Sequence, residues 1–257
     1  MNFTEQYIAL ITMSTREIRR FLRIWTQTLL PPVITMVLYF VIFGSLIGSR
    51  IGQMEGFNYA DFVAPGLIMM AVITNSYSNV VSSFFGHKFQ RHIEEILVSP
   101  TPNYIILAGF VSGGMARGLL VGLFVTITSV FFTDFQIQHP VVVIVTILLT
   151  SLLFSVAGLL NAIFATTFDD ISIVPTFILT PLTYLGGVFY SISMLPDFWQ
   201  LVSKANPILY MVNAFRYGFL GISDINVGAA LVAILAFTIV LIAIALRLLK
   251  TGKNLRA

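Results

Sequence analysis

Residues 227–250 read VGAALVAILAFTIVLIAIALRLLK. From Val227 to Leu246 no side chain carries a charge, and the first bases, Arg247 and Lys250, come only at the end. A helix of about 20 mostly apolar residues crosses the roughly 30 Å hydrocarbon core of a bilayer. The stretch is therefore a membrane span with its basic end at one interface. Working outward, five more segments meet the same criterion: 29–47, 62–85, 105–132, 141–164 and 171–190. The expected fold class is all-α and polytopic, with six transmembrane helices in a single domain over 1–257. Composition agrees. Of 257 residues, 57% are hydrophobic and 10% charged, whereas a soluble domain carries about 25% charge. A soluble enzyme or a disordered tail is thereby excluded.

The bases set the orientation. With the N-terminus inside, the cytoplasmic segments hold Arg16, Arg19, Arg20, Arg23, Lys88, Arg91, Arg247, Lys250, Lys253 and Arg256. The outer segments hold only Arg50, Lys204 and Arg216. This bias places both termini in the cytoplasm and explains the net charge of +3 without nucleic acid. No cleavable leader is read at the N-terminus. Residues 1–27 instead form an amphipathic helix, with Ile8, Ile11, Ile18, Phe21 and Trp25 at helical spacing, expected to lie at the interface with its arginines snorkelling.

Two connections carry more than linkage. In 86–102, Phe85, Phe89, Ile93, Ile96 and Leu97 share one helical face, while Lys88, Arg91, Glu94 and Glu95 share the other. Arg91 and Glu95 are four apart and can pair. Pro100 and Pro102 end the helix. It either lies on the headgroups or docks a soluble partner. Asp169 and Asp170, between the fourth and fifth spans, suit a helix N-terminus. On the outer side, 191–226 is apolar yet cut by Pro196 and Pro207 into pieces too short to span. Re-entrant half-helices buried in protein fit that pattern.

Within the spans, Arg117 is expected near mid-bilayer. There it either lines a translocation path or pairs structurally with carbonyls or with Asn75, Asn79 or Asn161. Asn75 and Asn79 share a polar face that is interhelical glue or a cavity lining. Gly114, Gly118 and Gly122 form a small-residue stripe for close helix packing, within the subunit or across a dimer. Cysteine is absent, so thiol nucleophiles and thiolate metal sites are excluded. No catalytic or metal-ligating set is read. No Gly-x-x-x-x-Gly-Lys-Ser/Thr phosphate loop occurs either, so any ATP hydrolysis takes place on another chain. An ATP-independent channel or secondary carrier is the alternative, weakened by the lack of a carboxylate deep in a span.

The chain resembles the permease subunits of ABC-2 type exporters. The residues carrying the resemblance are Leu179, Leu182, Leu185, Gly186, Val188, Leu195 and Pro196, then Asn206-Pro207-Ile208-Leu209-Tyr210 and Arg216. The segment 89–100, Phe89-Gln90-Arg91-His92-Ile93-Glu94-Glu95-Ile96-Leu97-Val98-Ser99-Pro100, looks like that family's cytoplasmic coupling helix. The resemblance implies a multi-pass protein of the bacterial inner membrane that pairs with a second copy and with separate ATPase subunits carrying ATP and magnesium. It also implies that Phe89, Gln90, Arg91, Glu94, Glu95 and Leu97, together with Arg16 and Arg20, touch the ATPase. An amphipathic, lipid-linked or drug-like substrate would pass outward between the two permeases.

Overall fold

The computed structural model describes residues 1–134 and 137–255; Arg256, counted above among the cytoplasmic bases, lies outside them. The chain is all-helical apart from one small hairpin. Helix α1 (Phe3–Arg23) is followed by α2 (Trp25–Thr28), α3 (Leu30–Tyr39), a π-helical stretch (Phe40–Ile47) and α4 (Gly48–Ile51). Strands β1 (Gln53–Met54) and β2 (Phe57–Asn58) pair antiparallel. Then come α5 (Tyr59–Phe89), α6 (His92–Val98), α7 (Asn103–Ser129) and α8 (Pro140–Phe164). A broken run follows: α9 (Asp170–Val174), a π-turn (Pro175–Leu179) and α10 (Thr180–Tyr184). A 3₁₀ turn (Ile192–Met194), α11 (Asp197–Lys204), α12 (Pro207–Leu220) and α13 (Val227–Thr251) complete the order.

Five segments among the described residues are long and apolar enough to cross a membrane: Trp25–Ile51, α5, α7, α8 and α13. The fifth expected span, 171–190, is helical over only part of its length. Its helix ends at Tyr184, about 22 Å at 1.5 Å per residue, and non-helical residues carry the chain on to Phe189, whose carbonyl accepts from Tyr59 OH at the start of α5 at 3.0 Å. Two causes are visible. Pro175 and Pro181 lack the N–H that an α-helical ladder needs, and a π-turn widens the helix between them. Gly187 then adopts φ +73°, a left-handed conformation that reverses the chain. Helix α12 packs on α5, α8 and α13. Its backbone is thus enclosed by protein, as a half-helix at membrane depth requires.

Helix α5 is the axis. In its most apolar window 78% of residues are buried, against 12% for Trp25–Ile51 and 22% for α13. The first and last spans therefore turn their apolar surfaces outward, while α5 is walled by α7 and α8.

The glycine stripe serves contacts inside the subunit. A Cβ at Gly114 would meet the Val80 and Ser155 side chains and the Ser76 carbonyl; at Gly118, Ser76; at Gly122, Val72. All but Ser155 belong to α5, so the stripe lets α7 and α5 approach backbone to backbone. Gly109 and Gly113 extend it on the side of α1, against Met13 and Glu17.

Replacing Gly114 by Val is expected to overpack this seam and destabilise the protein by about 1–3 kcal/mol. The apparent melting transition of the detergent-solubilised protein should fall, whereas Gly86→Ala, in open space, should leave it unchanged.

Candidate functional site

The segment expected to dock a partner lies where α5 ends. Helix α5 runs on to Phe89, and only Gln90 and Arg91 separate it from α6. The expected single helix over 86–102 is therefore two. Arg91 adopts φ +63° and stands as the N-cap of α6, outside its helical repeat. The expected Arg91–Glu95 pair consequently does not form: the ion pairs among the described residues are Arg16–Glu17 and Arg20–Glu17. Along α6, Ile93 is buried and Leu97 half-buried against the fold, while Gln90, Arg91, His92 and Glu95 are exposed and Glu94 partly so. Both carboxylates lie in the first turn, where the helix dipole favours them.

This knob is tied to the neighbouring inner connection. Phe168 packs its ring 4.9 Å from both Phe85 and Phe89. Lys88 Nζ donates to the carbonyls of Ile163 and Ala165, each at 2.6 Å, closing the C-terminal end of α8. Asp170 Oδ2 accepts from Thr166 Oγ1 at 2.7 Å and from the amides of Thr166 and Thr167 at 2.8 and 2.9 Å. These donors, the Thr166 hydroxyl first, hold the Asp170 carboxyl well below the usual carboxylate range. Asp170 thus caps backward onto the preceding loop, and Asp169 is the N-cap position of α9.

Helix α1 follows α7 rather than standing apart from it. Gln6 meets Tyr104 at 2.7 Å, Ser14 meets Ser112 at 2.8 Å, and the two chains run in the same direction. Of the expected apolar face, Phe21 is 0% exposed and Ile18 partly buried, while Ile8, Ile11 and Trp25 remain exposed. Glu17 is 0% exposed as well. Glu17 is the residue that sequence reasoning missed. Its Oε2 accepts from Ser83 Oγ at 2.5 Å and Arg20 Nε at 3.3 Å, and its Oε1 accepts from Arg16 Nη2 at 3.3 Å. Arg20 also donates through Nη2 to the carbonyl and Oδ1 of Asn79, both at 2.9 Å. The guanidinium of Arg20 is thereby bonded into the fold, while about a third of its side chain, 32%, stays exposed. Arg16 lies over the Phe110 ring at 5.7 Å. The available signal for Glu17 was its spacing from Met13 and Phe21 (i−4, i+4) opposite the glycines of α7.

Arg117 forms a second rung. Its Nη2 donates to Asn75 Oδ1 at 3.1 Å and to the Thr28 carbonyl at 3.2 Å. The structural pairing is the one present. Thr28 stands near the start of the first span, so Arg117 lies level with that end of the span. Asn161 belongs elsewhere, donating to the Ile171 carbonyl at 3.2 Å and tying α8 to α9.

The outer motif is an architectural clasp. Pro196 precedes α11 and Pro207 occupies the first turn of α12, where a missing N–H costs nothing. Asn206 caps α12 by accepting from Ile208 N at 3.0 Å and donates to the Leu182 carbonyl at 2.5 Å. Tyr210 OH donates to the Lys204 carbonyl at 2.7 Å. Half-buried Leu185 leads into Gly186, which packs against Ile208 with no space for a Cβ. Arg216, expected among the outer-side bases, is instead 1% exposed. It donates to the carbonyls of Phe62 at 3.3 Å and Gly187 at 2.5 Å and stacks 3.9 Å from the Phe62 ring.

The description ABC-2 type transporter is that of the family whose model matches residues 8–220. The chain is similar to the inner membrane transport permease YadH of Escherichia coli strain K12, 59% identical over 251 residues covering 98% of each protein. It is also similar, more distantly, to nodulation protein J of Rhizobium meliloti, 21% identical over 205 residues, 79% of this chain and 78% of that protein. A third relative is nodulation protein J of Bradyrhizobium diazoefficiens, 25% identical over 171 residues, 66% of this chain and 65% of that protein.

Glu17→Ala would leave two guanidiniums and Ser83 without their common acceptor. Because both guanidiniums stay partly exposed, the cost is that of the lost hydrogen bonds at a buried site, about 1–3 kcal/mol. Residues 3–23 should lose amide-exchange protection, while Glu5→Ala, on the exposed N-terminal turn, should keep it.

Proposed function

This chain belongs to the ABC-2 type transporter family, and we propose that it is the exporting half of a complex whose ATP is hydrolysed on a separate subunit. A transport permease of this family has no catalytic site of its own, and this one is a multi-pass inner-membrane protein. The finer reading is that two copies pair, two ATPase subunits bind at their cytoplasmic ends, and ATP and magnesium reside on those subunits. Both termini face the cytoplasm in this arrangement.

The observation carrying this reading is α6. It presents Glu95, and partly Glu94, away from the fold, joined to the central helix α5 through two residues. Neither carboxylate has an ion-pair partner among the described residues. Ile93, Leu97 and the Phe85–Phe89–Phe168 cluster seat it rigidly. A push on α6 therefore moves α5, and α5 moves with α7 and α8 because no slack separates their backbones at the glycine seam. Closure of the ATPase pair would tilt that bundle as a rigid body. ATP binding would then select between inward- and outward-open states through differential contact with them. An amphipathic, lipid-linked or drug-like substrate would pass outward between the two permeases. Glu94, Glu95 and Arg91, with Phe89, Gln90 and Leu97, are the assigned contacts; Arg16 and Arg20 are assigned to the same surface through the edges that their bonds to Glu17 leave exposed.

Reversing both charges, Glu94→Arg with Glu95→Arg, should reduce substrate-stimulated ATPase activity of the reconstituted complex by at least about tenfold, as like charges replace complementary ones. Membrane insertion and the melting transition of the permease alone should not change. Full stimulation in the double variant would contradict the assignment.

A further inference from the structure

The four arginines of α1 divide into two pairs. Arg16 and Arg20 are committed to Glu17. Arg19 and Arg23 are exposed and have no hydrogen-bond or ion-pair partner among the described residues. Arg19, Leu22 and Arg23 stand at i, i+3 and i+4, on one face of the helix. Leu22 begins an open groove of about 550 Å³ between the first span and α7, continued by Trp25, Leu30, Val33, Phe124 and Ile127. Its one hydroxyl, on Thr128, turns back to the Phe124 carbonyl at 2.8 Å, and the Trp25 indole N–H is its other polar side-chain group. The walls are therefore mostly apolar, and they are open: Trp25 is 55% and Ile127 51% exposed.

The Arg117–Thr28 contact sets α7 level with the start of the first span. With the arginine-rich α1 on the cytoplasmic side, as the basic bias implies, Trp25 stands at the interface, where tryptophan is favoured. Arg19 and Arg23 lie on the headgroup side of it, and Leu30, Val33, Phe124 and Ile127 on the hydrocarbon side. We propose that this groove is a binding site for an anionic phospholipid of the inner leaflet, with its phosphate held by Arg19 and Arg23 and an acyl chain laid along Trp25 and α7. Charge decides the class. Two uncompensated cations at the polar end of an apolar groove complement a headgroup with net negative charge. A zwitterionic headgroup brings its own ammonium and gains little. The inference is independent of the transport reading.

The chain holds only two tryptophans, Trp25 in the groove and Trp199 in α11, so Trp199→Phe leaves Trp25 as the sole emitter. The full-length variant is reconstituted in vesicles in which either phosphatidylglycerol or phosphatidylcholine carries brominated acyl chains, and Trp25 quenching is read against mole fraction. The expected result is a preference on the order of tenfold for the brominated phosphatidylglycerol, from about 1 kcal/mol per basic residue near a surface. Adding Arg19→Gln and Arg23→Gln should reduce that preference to about one. These side chains are exposed, so the fold is retained, which the melting transition checks. Equal quenching by both lipids in the parent, or an undiminished preference in the arginine variant, overturns the proposal. So does the absence of quenching by either lipid, the result expected where a second copy of the chain covers the groove.

Discussion

The carboxylate of Glu17 sits where water does not reach, and the inner half of the fold is arranged around satisfying it. An isolated buried charge costs several kcal/mol unless it is paired and hydrogen-bonded. Glu17 gathers Ser83 from α5 and Arg16 and Arg20 from its own helix. Arg20 in turn reaches Asn79 on α5. One turn further along α5, Asn75 receives Arg117 of α7. Two rungs, at Asn75 and Asn79, thus bind α1, α5 and α7 with correct partners for each charge. A register shift of any of the three helices would leave a buried cation or anion alone.

These rungs require close backbones, and the glycines of α7 supply them. Gly113 receives the Cβ and Cγ of Glu17 itself, so the charge is seated in a notch without a side chain. The other glycines bring α5 near enough for Asn75 to meet Arg117. Polar specificity and steric access are therefore one feature: neither the glycine stripe nor the charged ladder has a place without the other. The consequence for function is stiffness. Helix α5 joins α6 at one end and the Arg216 clasp, through the Phe62 carbonyl, at the other. A displacement at α6 is carried by a fastened bundle instead of being absorbed in loops.

Much of the site could be read from residue order. The basic run, the proline-bounded amphipathic segment and the Asn206–Tyr210 motif each point to local structure, because capping, helix breaking and periodicity are local. The pairing of Arg117 with a carbonyl and Asn75 was among the alternatives for the same reason: charge in a span must find a partner. Glu17 was only partly legible. Its i−4 and i+4 neighbours Met13 and Phe21 place it on the apolar side of an amphipathic helix, yet a charged residue on such a helix normally meets solvent or headgroups. Only the presence of α7 converts that face into an interior. Arg91 was misread because nothing in a helical repeat announces a left-handed residue.

By itself the sequence determined that this is a helical protein of the membrane, with its bases biased to one side and an amphipathic segment between the second and third long helices. Hydrophobic length and charge asymmetry act on each segment separately, so they need no partner to be read. Tertiary structure alone decided which faces became interior, that the helix of the fifth span ends at Tyr184, and which arginines are spent on Glu17 and which have no ion-pair partner among the described residues. Those outcomes depend on the distance between helices far apart in the chain, and that distance is set by packing at the glycines, not by any local preference.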